Sequence, residues 1–98
     1  MKLLELFDSE KKWIKGDDAQ NKDGGSLYDV KDKNAVKWCL VGGLYKCYKV
    51  GSKIFDRNEN KLVKVIAEDY KYGCIIDFND AKETTWSDIK KVLKKAGI

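Results

Sequence analysis

One segment constrains the fold more than any other, residues 32–48 with the sequence DKNAVKWCLVGGLYKCY. It is the only stretch long enough and apolar enough to form a fully buried helix. Its apolar side chains fall on two stripes at helical spacing, Val36, Leu40, Gly43 and Cys47 on one and Trp38, Val41, Tyr45 and Tyr48 on the other. Because a helix that is apolar on most sides needs neighbours on most sides, we predict a central helix around which the other elements pack.

Two glycines, Gly42 and Gly43, lie inside this predicted helix. Each costs ~1 kcal/mol of helix stability relative to alanine. A residue without a Cβ also lets another part of the chain approach closely, and we expect such a contact here. Asp32 or Asn34 is suited to cap the start of the helix, and Gly51 lies just past its end.

Two further segments before and after the central helix have a helical pattern. Residues 2–12 predict a short amphipathic helix that frays before its end. Asn58 is suited to cap a helix over residues 58–70, although the β-branched residues within it also allow a strand. Ile54 and Phe55, just before this helix, are predicted to be buried.

The last predicted helix has the clearest local signal in the chain. Thr85 and Asp88 have the spacing of a capping box, in which each side chain bonds the backbone at the other residue. The apolar residues that follow form one stripe at helical spacing, consisting of Trp86, Ile89, Val92, Leu93 and Ala96.

The β signals are weaker and more local. Residues 13–15 and 26–28 predict the two arms of an irregular hairpin with its turn near residues 23–25, and a disordered loop is the alternative. Residues 72–78 form a short apolar run, which predicts either a brief buried strand or an extended connector.

Together these elements predict a mainly α fold of the α+β class. Three or four helices surround the central helix at about residues 32–48, with a minor β-hairpin near residues 13–28. A chain of 98 residues has room for one modest core, so we expect a single domain over residues 1–98.

The composition excludes several kinds of site. The chain has no histidine, which removes His-assisted Ser or Cys catalysis and mixed Cys/His zinc sites. Its three cysteines contain no C-x-x-C pair, so no zinc-knuckle or redox motif is present. Asp17, Asp18 and Asp23 miss the spacing of a calcium-binding loop. We therefore predict neither a metal nor a cofactor.

Charge and hydropathy bear on location. The net charge of +4 permits an acidic partner without requiring one. Residues 1–13 carry charges too early and too often for a signal peptide, and no stretch approaches membrane-spanning length. Free thiols in a small lysine-rich chain are typical of a reducing compartment. We predict a cytoplasmic protein with no membrane partner.

Four motifs lie in order along the chain: W-I-K-G at residues 13–16, A-V-K-W-C-L-V-G-G-L at 35–44, F-N-D at 78–80 and T-T-W-S-D-I at 84–89. Together they resemble a family of short uncharacterised proteins from bacteria, notably actinobacteria, and from bacteriophages. The pattern of that family is W-x-x-G, then A-V-x-W-C-x-x-G-A-L, then N-D before a Thr-capped helix. This chain departs from it at Gly43, where alanine is usual. The resemblance implies a fold and leaves the function open, because the family has no established activity.

Cys39 and its neighbour Trp38 are the first candidate binding residues. A nucleophilic thiol needs a nearby cation, base or helix N-terminus to lower its pKa, and Asn79 or Asp80 would orient it. Without histidine only a lysine could serve, and the predicted helix places Cys39 past its first turn. We favour the alternative, a small buried residue that allows tight packing, and assign Cys74 to the core as well.

The remaining candidates are polar residues and one further tryptophan. Asn79 and Asp80 are suited to bind a ligand or cation, but we favour a role in holding the backbone corner before the last helix. A lysine-rich face around Lys90 and Lys94 is suited to bind phosphate, although such a face is more often only solvated. Trp13, in the first motif, is the last candidate.

Three functional hypotheses follow. The leading one is a non-enzymatic cytoplasmic binding protein, encoded by a phage or mobile element and acting on a host protein, with a homodimer as the other protein partner considered. It rests on a set of aromatic residues larger than so small a core can bury: Trp13, Tyr28, Tyr45, Tyr48, Tyr70, Tyr72 and Trp86. The alternatives are a nucleic-acid or nucleotide binder that uses the lysine-rich face, and a cysteine-dependent enzyme that uses Cys39.

Overall fold

The structure, a computed structural model, describes residues 1–98 and contains five α-helices, one 3₁₀ turn and two short strands. In chain order these are α1 (Leu3–Leu6), the 3₁₀ turn (Glu10–Lys12), β1 (Ala19–Gln20), β2 (Lys37–Trp38), α2 (Leu40–Cys47), α3 (Lys53–Tyr70), α4 (Ile75–Asp80) and α5 (Trp86–Ala96). The predicted mainly α fold of the α+β class, with a minor β-hairpin, is confirmed.

The helices pack around one core of eighteen buried apolar residues. The longest helices, α3 and α5, lie along each other, and α2 contacts α1, α3, α4 and β2. The central position predicted for the helix that is now α2 is therefore confirmed. The Leu3 N–H donates to the Tyr48 hydroxyl (3.3 Å) and the Leu4 N–H donates to the Ile98 carbonyl (3.3 Å), which joins α1 to the segments that follow α2 and α5.

The central helix is shorter than predicted, because it begins at Leu40 rather than near residue 32. Asp32 does not cap a helix. Its carboxylate accepts a hydrogen bond from the Asn34 N–H at 2.8 Å, in a turn that competes locally with helix formation. The residues after this turn are extended because β2 pairs with β1. The turn at Asp32 and this strand together correct the prediction of a helix from residue 32.

The predicted hairpin is present in a shorter form. Gln20, at the end of β1, bridges Ser26 across a turn that contains Gly24 at φ +86°. The predicted arms, residues 13–15 and 26–28, do not pair with each other. β1 pairs antiparallel with β2, and the first predicted arm forms a parallel bridge to β2. β1 and the first predicted arm can both pair with β2 because residues 37–38 are extended rather than helical.

The start of α3 also differs from the prediction. The Ser52 hydroxyl accepts the Phe55 N–H at 3.2 Å and caps the helix, so α3 begins at Lys53. Asn58 is therefore buried inside the helix and does not cap it. Phe55 is buried as predicted, whereas Ile54 is 50% exposed, which corrects the expectation that both are buried.

Residues 72–78, predicted as a strand or a connector, contain the start of helix α4 instead. The sulfur of Cys74 accepts a backbone N–H at this helix start, so Cys74 is exposed and not in the core as predicted. Ile75 and Phe78 are three residues apart, and one helical turn brings both into the core. The same turn leaves Ile76 facing outward.

At the two ends of the chain, the structure agrees more closely with the elements predicted from the sequence. The helix predicted over residues 2–12 is broken after Phe7, so that only α1 and the 3₁₀ turn remain of it. At the other end, Thr85 and Asp88 form the predicted capping box at the start of α5. The predicted apolar stripe of α5 packs into or against the core.

Close approach at the two glycines of α2 is a further feature that the sequence predicts. A Cβ on Gly42 would lie 1.9 Å from the carbonyl oxygen of Asp18, so the backbone before β1 occupies the space of a side chain. A Cβ on Gly43 would lie 2.6 Å from the ring of Phe7. The contact at Gly42 is with backbone atoms, which cannot move away by a change of side-chain rotamer.

We expect Gly42→Ala to lower the free energy of unfolding by about 2 kcal/mol, because overpacking against backbone costs about 3 kcal/mol and the better helix propensity of alanine returns about 1 kcal/mol. Urea unfolding followed by tryptophan fluorescence measures this loss. Gly73→Ala is the matched control, since a Cβ there meets nothing within 4 Å. Equal stability of the two variants would contradict the packing of Asp18 on Gly42.

Candidate functional site

Asn79 lies at the centre of the residues that the sequence marks as candidates, and its side chain is only 1% exposed. Its Oδ1 accepts hydrogen bonds from the Trp13 Nε1–H (2.8 Å) and the Leu40 N–H (3.0 Å). Its Nδ2 donates to the Ile14 carbonyl (3.0 Å) and to Asp80 Oδ1 (2.9 Å). All four hydrogen-bonding positions of the amide are therefore used within the protein. We call these five residues the Asn79 junction.

Neighbouring contacts tie the same two segments together. The Gly16 N–H donates to Asp80 Oδ1 at 3.0 Å, and the Lys15 ammonium donates to the Ala81 carbonyl at 2.6 Å. The first motif, at residues 13–16, is thus attached to the N-D motif through main chain and side chain together. This geometry supports the predicted role of Asn79 and Asp80 in holding the backbone corner before the last helix.

The two candidate tryptophans also direct their polar groups inward. Trp38 is 5% exposed, and its indole N–H donates to the Val30 carbonyl at 2.9 Å. Trp13 is half-buried, and its ring lies 6.3 Å from the ring of Trp86, with an interplanar angle of 31°. Because both indole N–H groups are hydrogen-bonded within the protein, neither is free to bind a ligand, and the rings contribute packing.

Cys39 is the N-cap of α2, which corrects the expectation that it lies past the first turn. Its sulfur accepts the Gly42 N–H at 3.3 Å and lies 3.6 Å from Asp18 Oδ1. Burial raises the pKa of the Cys39 thiol to about 11, and the neighbouring Asp18 carboxylate adds to this effect. A thiol with this pKa stays protonated at neutral pH, which is unfavourable for a nucleophile.

The hypothesis of an oriented thiol requires Asn79 or Asp80 to hold Cys39, but the Cys39 sulfur bonds only Gly42 and Asp18 and shares no more than a cleft with Asn79 and Asp80. Cys39, Asn79 and Asp80 line this cleft of about 220 Å³ together with Asp17, Asp18 and the residues at its edges. We call it the junction cleft. No group of three Cys, Asp or Glu side chains in the chain is arranged to hold a metal ion.

Lys90 and Lys94 lie apart from these residues. Both are exposed on α5 and share no hydrogen bond or salt bridge with the other five candidates. Lys95 on the same helix pairs with Asp69 at 2.9 Å, which neutralises part of the lysine-rich face. Such exposed pairs contribute little to stability.

Beside the junction cleft lies a surface that the candidate residues do not include. Apolar side chains from α2, α3 and the start of α4 line a cleft of about 250 Å³. We call the following five residues the apolar face: Val41, Tyr45, Val63, Cys74 and Ile76. The i, i+4 spacing of Val41 and Tyr45 indicates a common helix face in the sequence. Ile76 is missed because its segment is predicted as a buried strand or a connector.

A third, larger cleft of about 750 Å³ adjoins the apolar face at Tyr45. It also contains Tyr28, whose side chain is fully exposed, and three aspartates, Asp17, Asp18 and Asp29. We call it the tyrosine cleft. Tyr28 and Tyr45 belong to the set of aromatic residues that the sequence predicts to exceed the capacity of the core.

The fold and these clefts define a small α+β protein. The sequence model of a family of unknown function (DUF6197) matches residues 4–97, so the chain belongs to this family. The resemblance to a family of uncharacterised proteins is thereby confirmed. No curated protein and no solved structure matches the chain. None of its helices is both long and apolar enough to cross a membrane.

We expect Asn79→Leu to lower the free energy of unfolding by about 3 kcal/mol. The substitution leaves the buried Leu40 N–H and the part-buried Trp13 indole N–H and Ile14 carbonyl without partners, at up to about 1–3 kcal/mol each, and burial of the leucine offsets part of this cost. Chemical denaturation followed by circular dichroism measures the loss. Asn60→Leu, on the exposed side of α3, is the control and should change stability by less than about 0.5 kcal/mol. A similar loss in both variants would argue against the junction.

The cysteines should differ in reactivity. At pH 8, roughly one Cys39 thiol in a thousand is ionised at a pKa of about 11, and the side chain is only 6% exposed. We expect iodoacetamide to modify exposed Cys74 first and Cys39 last, with all three equal in urea. Peptide mapping by mass spectrometry over a time course measures the three rates. Modification of Cys39 in the folded chain as fast as that of Cys74 would revive the cysteine-enzyme hypothesis.

Proposed function

We propose that the protein is a non-enzymatic interaction protein that binds another protein through the apolar face. One observation carries this proposal. Side chains from three helices adjoin around one apolar cleft, while Ile76 remains 52% and Tyr45 37% exposed. Contiguous apolar surface on a small protein, in contrast to a single exposed side chain, marks an interaction site.

The rigidity of this surface supports the proposal. Tyr45 stacks on Phe55, with the ring centroids 5.5 Å apart and an interplanar angle of 18°. The neighbouring Ile75 is buried in the core, which fixes the start of α4 below Ile76. A partner would therefore meet an aromatic anchor whose position is already set, so that less side-chain entropy is lost on binding.

The chemistry of the junction supports binding over catalysis. Asn79 has no unused hydrogen-bonding position for a substrate, because each of its four is bonded within the protein. The high pKa of Cys39 opposes a role as nucleophile. Asn79 and Cys39 therefore support a structural role, and the proposed binding surface lies beside them.

The setting that we propose is the cytoplasm of a bacterium, with a host protein as the partner and a phage or mobile element as the origin of the gene. The three cysteines are unpaired and Cys74 is exposed, which suits a reducing compartment. The proposed origin rests on the small size and the lysine- and asparagine-rich composition of the chain.

Two isoleucines provide a matched test. We expect a protein in an extract of the source cell to be retained by the immobilised wild-type chain and by Ile54→Lys. Retention by Ile76→Lys should fall at least about tenfold, because the variant loses about 1.5–3 kcal/mol of apolar burial and adds a charge. Ile54 and Ile76 are 50% and 52% exposed, and only Ile76 belongs to the apolar face. Quantitative mass spectrometry of the retained proteins gives the readout.

The same experiment has two outcomes that would contradict the proposal. One is equal retention of every protein by the wild-type chain and by both variants. The other is retention that disappears after nuclease treatment of the extract. That result would favour nucleic-acid binding through the lysine-rich face of α5.

A further inference from the structure

The apolar face, the tyrosine cleft and the junction cleft form one continuous surface. Tyr45 lines both the tyrosine cleft and the apolar cleft. Ile76 lines both the apolar cleft and the junction cleft. Asp17 and Asp18 line both the junction cleft and the tyrosine cleft. A segment that lies on the apolar face therefore also meets the side chains of the other two clefts.

The charge of this surface is opposite to that of the chain. Lysine and arginine outnumber aspartate and glutamate by 20 to 16, for a net charge of +4. No lysine or arginine lines any of the three clefts, whereas five acidic residues do: Asp17, Asp18, Asp29, Glu59 and Asp80. Neither of the two salt bridges of the chain involves these carboxylates. Asp17, Asp29 and Asp80 accept hydrogen bonds within the chain, but no salt bridge neutralises the charge of any of the five.

From these observations, and on the basis of the proposed function, we infer that the partner docks a segment in which lysine or arginine residues flank apolar ones. The apolar side chains fill the cleft between Val41, Val63 and Ile76, and the basic side chains reach the aspartates on either side. The exposed ring of Tyr28 and that of Tyr45 add faces on which an ammonium or guanidinium group binds favourably. Charge complementarity of this kind selects the partner and speeds the encounter.

A second copy of this chain fits the surface less well. Two copies that met through the apolar face would bring their five acidic residues together, which is unfavourable. The lysines of α5 would match the charge, but the apolar residues of that helix, Ile89, Val92 and Leu93, are 0% exposed. They are committed to the core of their own chain. The occupant that satisfies both requirements is a basic and apolar segment of a different protein.

A displayed library of random 16-residue peptides tests the inference. Peptides are selected on the immobilised wild-type chain and counter-selected on Ile76→Lys. We expect the enriched peptides to be positively charged, with lysine or arginine next to apolar residues. The affinity of a synthesised peptide from this set should fall about threefold or more between low and physiological salt.

Charge variants sharpen the result. For the same peptide, Asp18→Asn combined with Asp29→Asn should raise the Kd about fivefold, since two exposed ion pairs with the peptide are lost and each such pair is weak. The matched control is Asp23→Asn combined with Glu68→Gln, which removes two exposed acids outside the three clefts and should leave the Kd unchanged.

The outcomes separate the inference from the proposed function. Enrichment of neutral or acidic peptides that depend on Ile76 overturns the inferred charge of the partner and leaves the interaction proposal standing. A selection that yields no peptide dependent on Ile76 overturns both. A Kd that responds equally to the two charge variants overturns the assignment of the aspartates.

Discussion

The buried amide of Asn79 is the interaction on which the rest of the structure depends. Its four hydrogen bonds join the chain before β1, the first residue of α2 and the end of α4, segments that lie far apart in sequence. A buried amide is costly unless every donor and acceptor is satisfied, and this requirement restricts how the three segments can be arranged. The close approach of the Asp18 backbone to Gly42 adds a second contact between the chain before β1 and α2.

The sequence predicts those parts of the fold that short-range chemistry determines. α5 has its cap, its apolar stripe and its terminal lysines within twelve residues of one another, and the structure matches the prediction there. The start of α2 could not be predicted in this way. Residues 32–39 have a helical pattern, but Asp32 closes a local turn and residues 37–38 pair with β1, a partner distant in the chain. The short run at residues 72–78 has too few residues to show its period, so helix α4 was not predictable from pattern alone.

The candidate site shows the same limit. Motif spacing singled out Trp13, Cys39, Asn79 and Asp80, and these four do lie together. Their contacts include long-range hydrogen bonds, which only the fold reveals, and these contacts turn the Trp13 indole N–H and the Asn79 amide inward. The apolar face was harder to find because it combines residues from three helices. The feature of the sequence that pointed toward it was the excess of aromatic residues, of which Tyr28 and Tyr45 are exposed.

The central claim is that one side of the protein, centred on the apolar face, binds a partner while the buried amide of Asn79 holds the fold. Methyl NMR spectra of the chain labelled at isoleucine and valine, recorded with and without a peptide selected on the wild-type chain, test this claim most directly. The account predicts that the methyl signals of Val41, Val63 and Ile76 shift on binding and that those of Ile54 do not. Shifts confined to Ile54, or to the amides of Lys90 and Lys94, would contradict it.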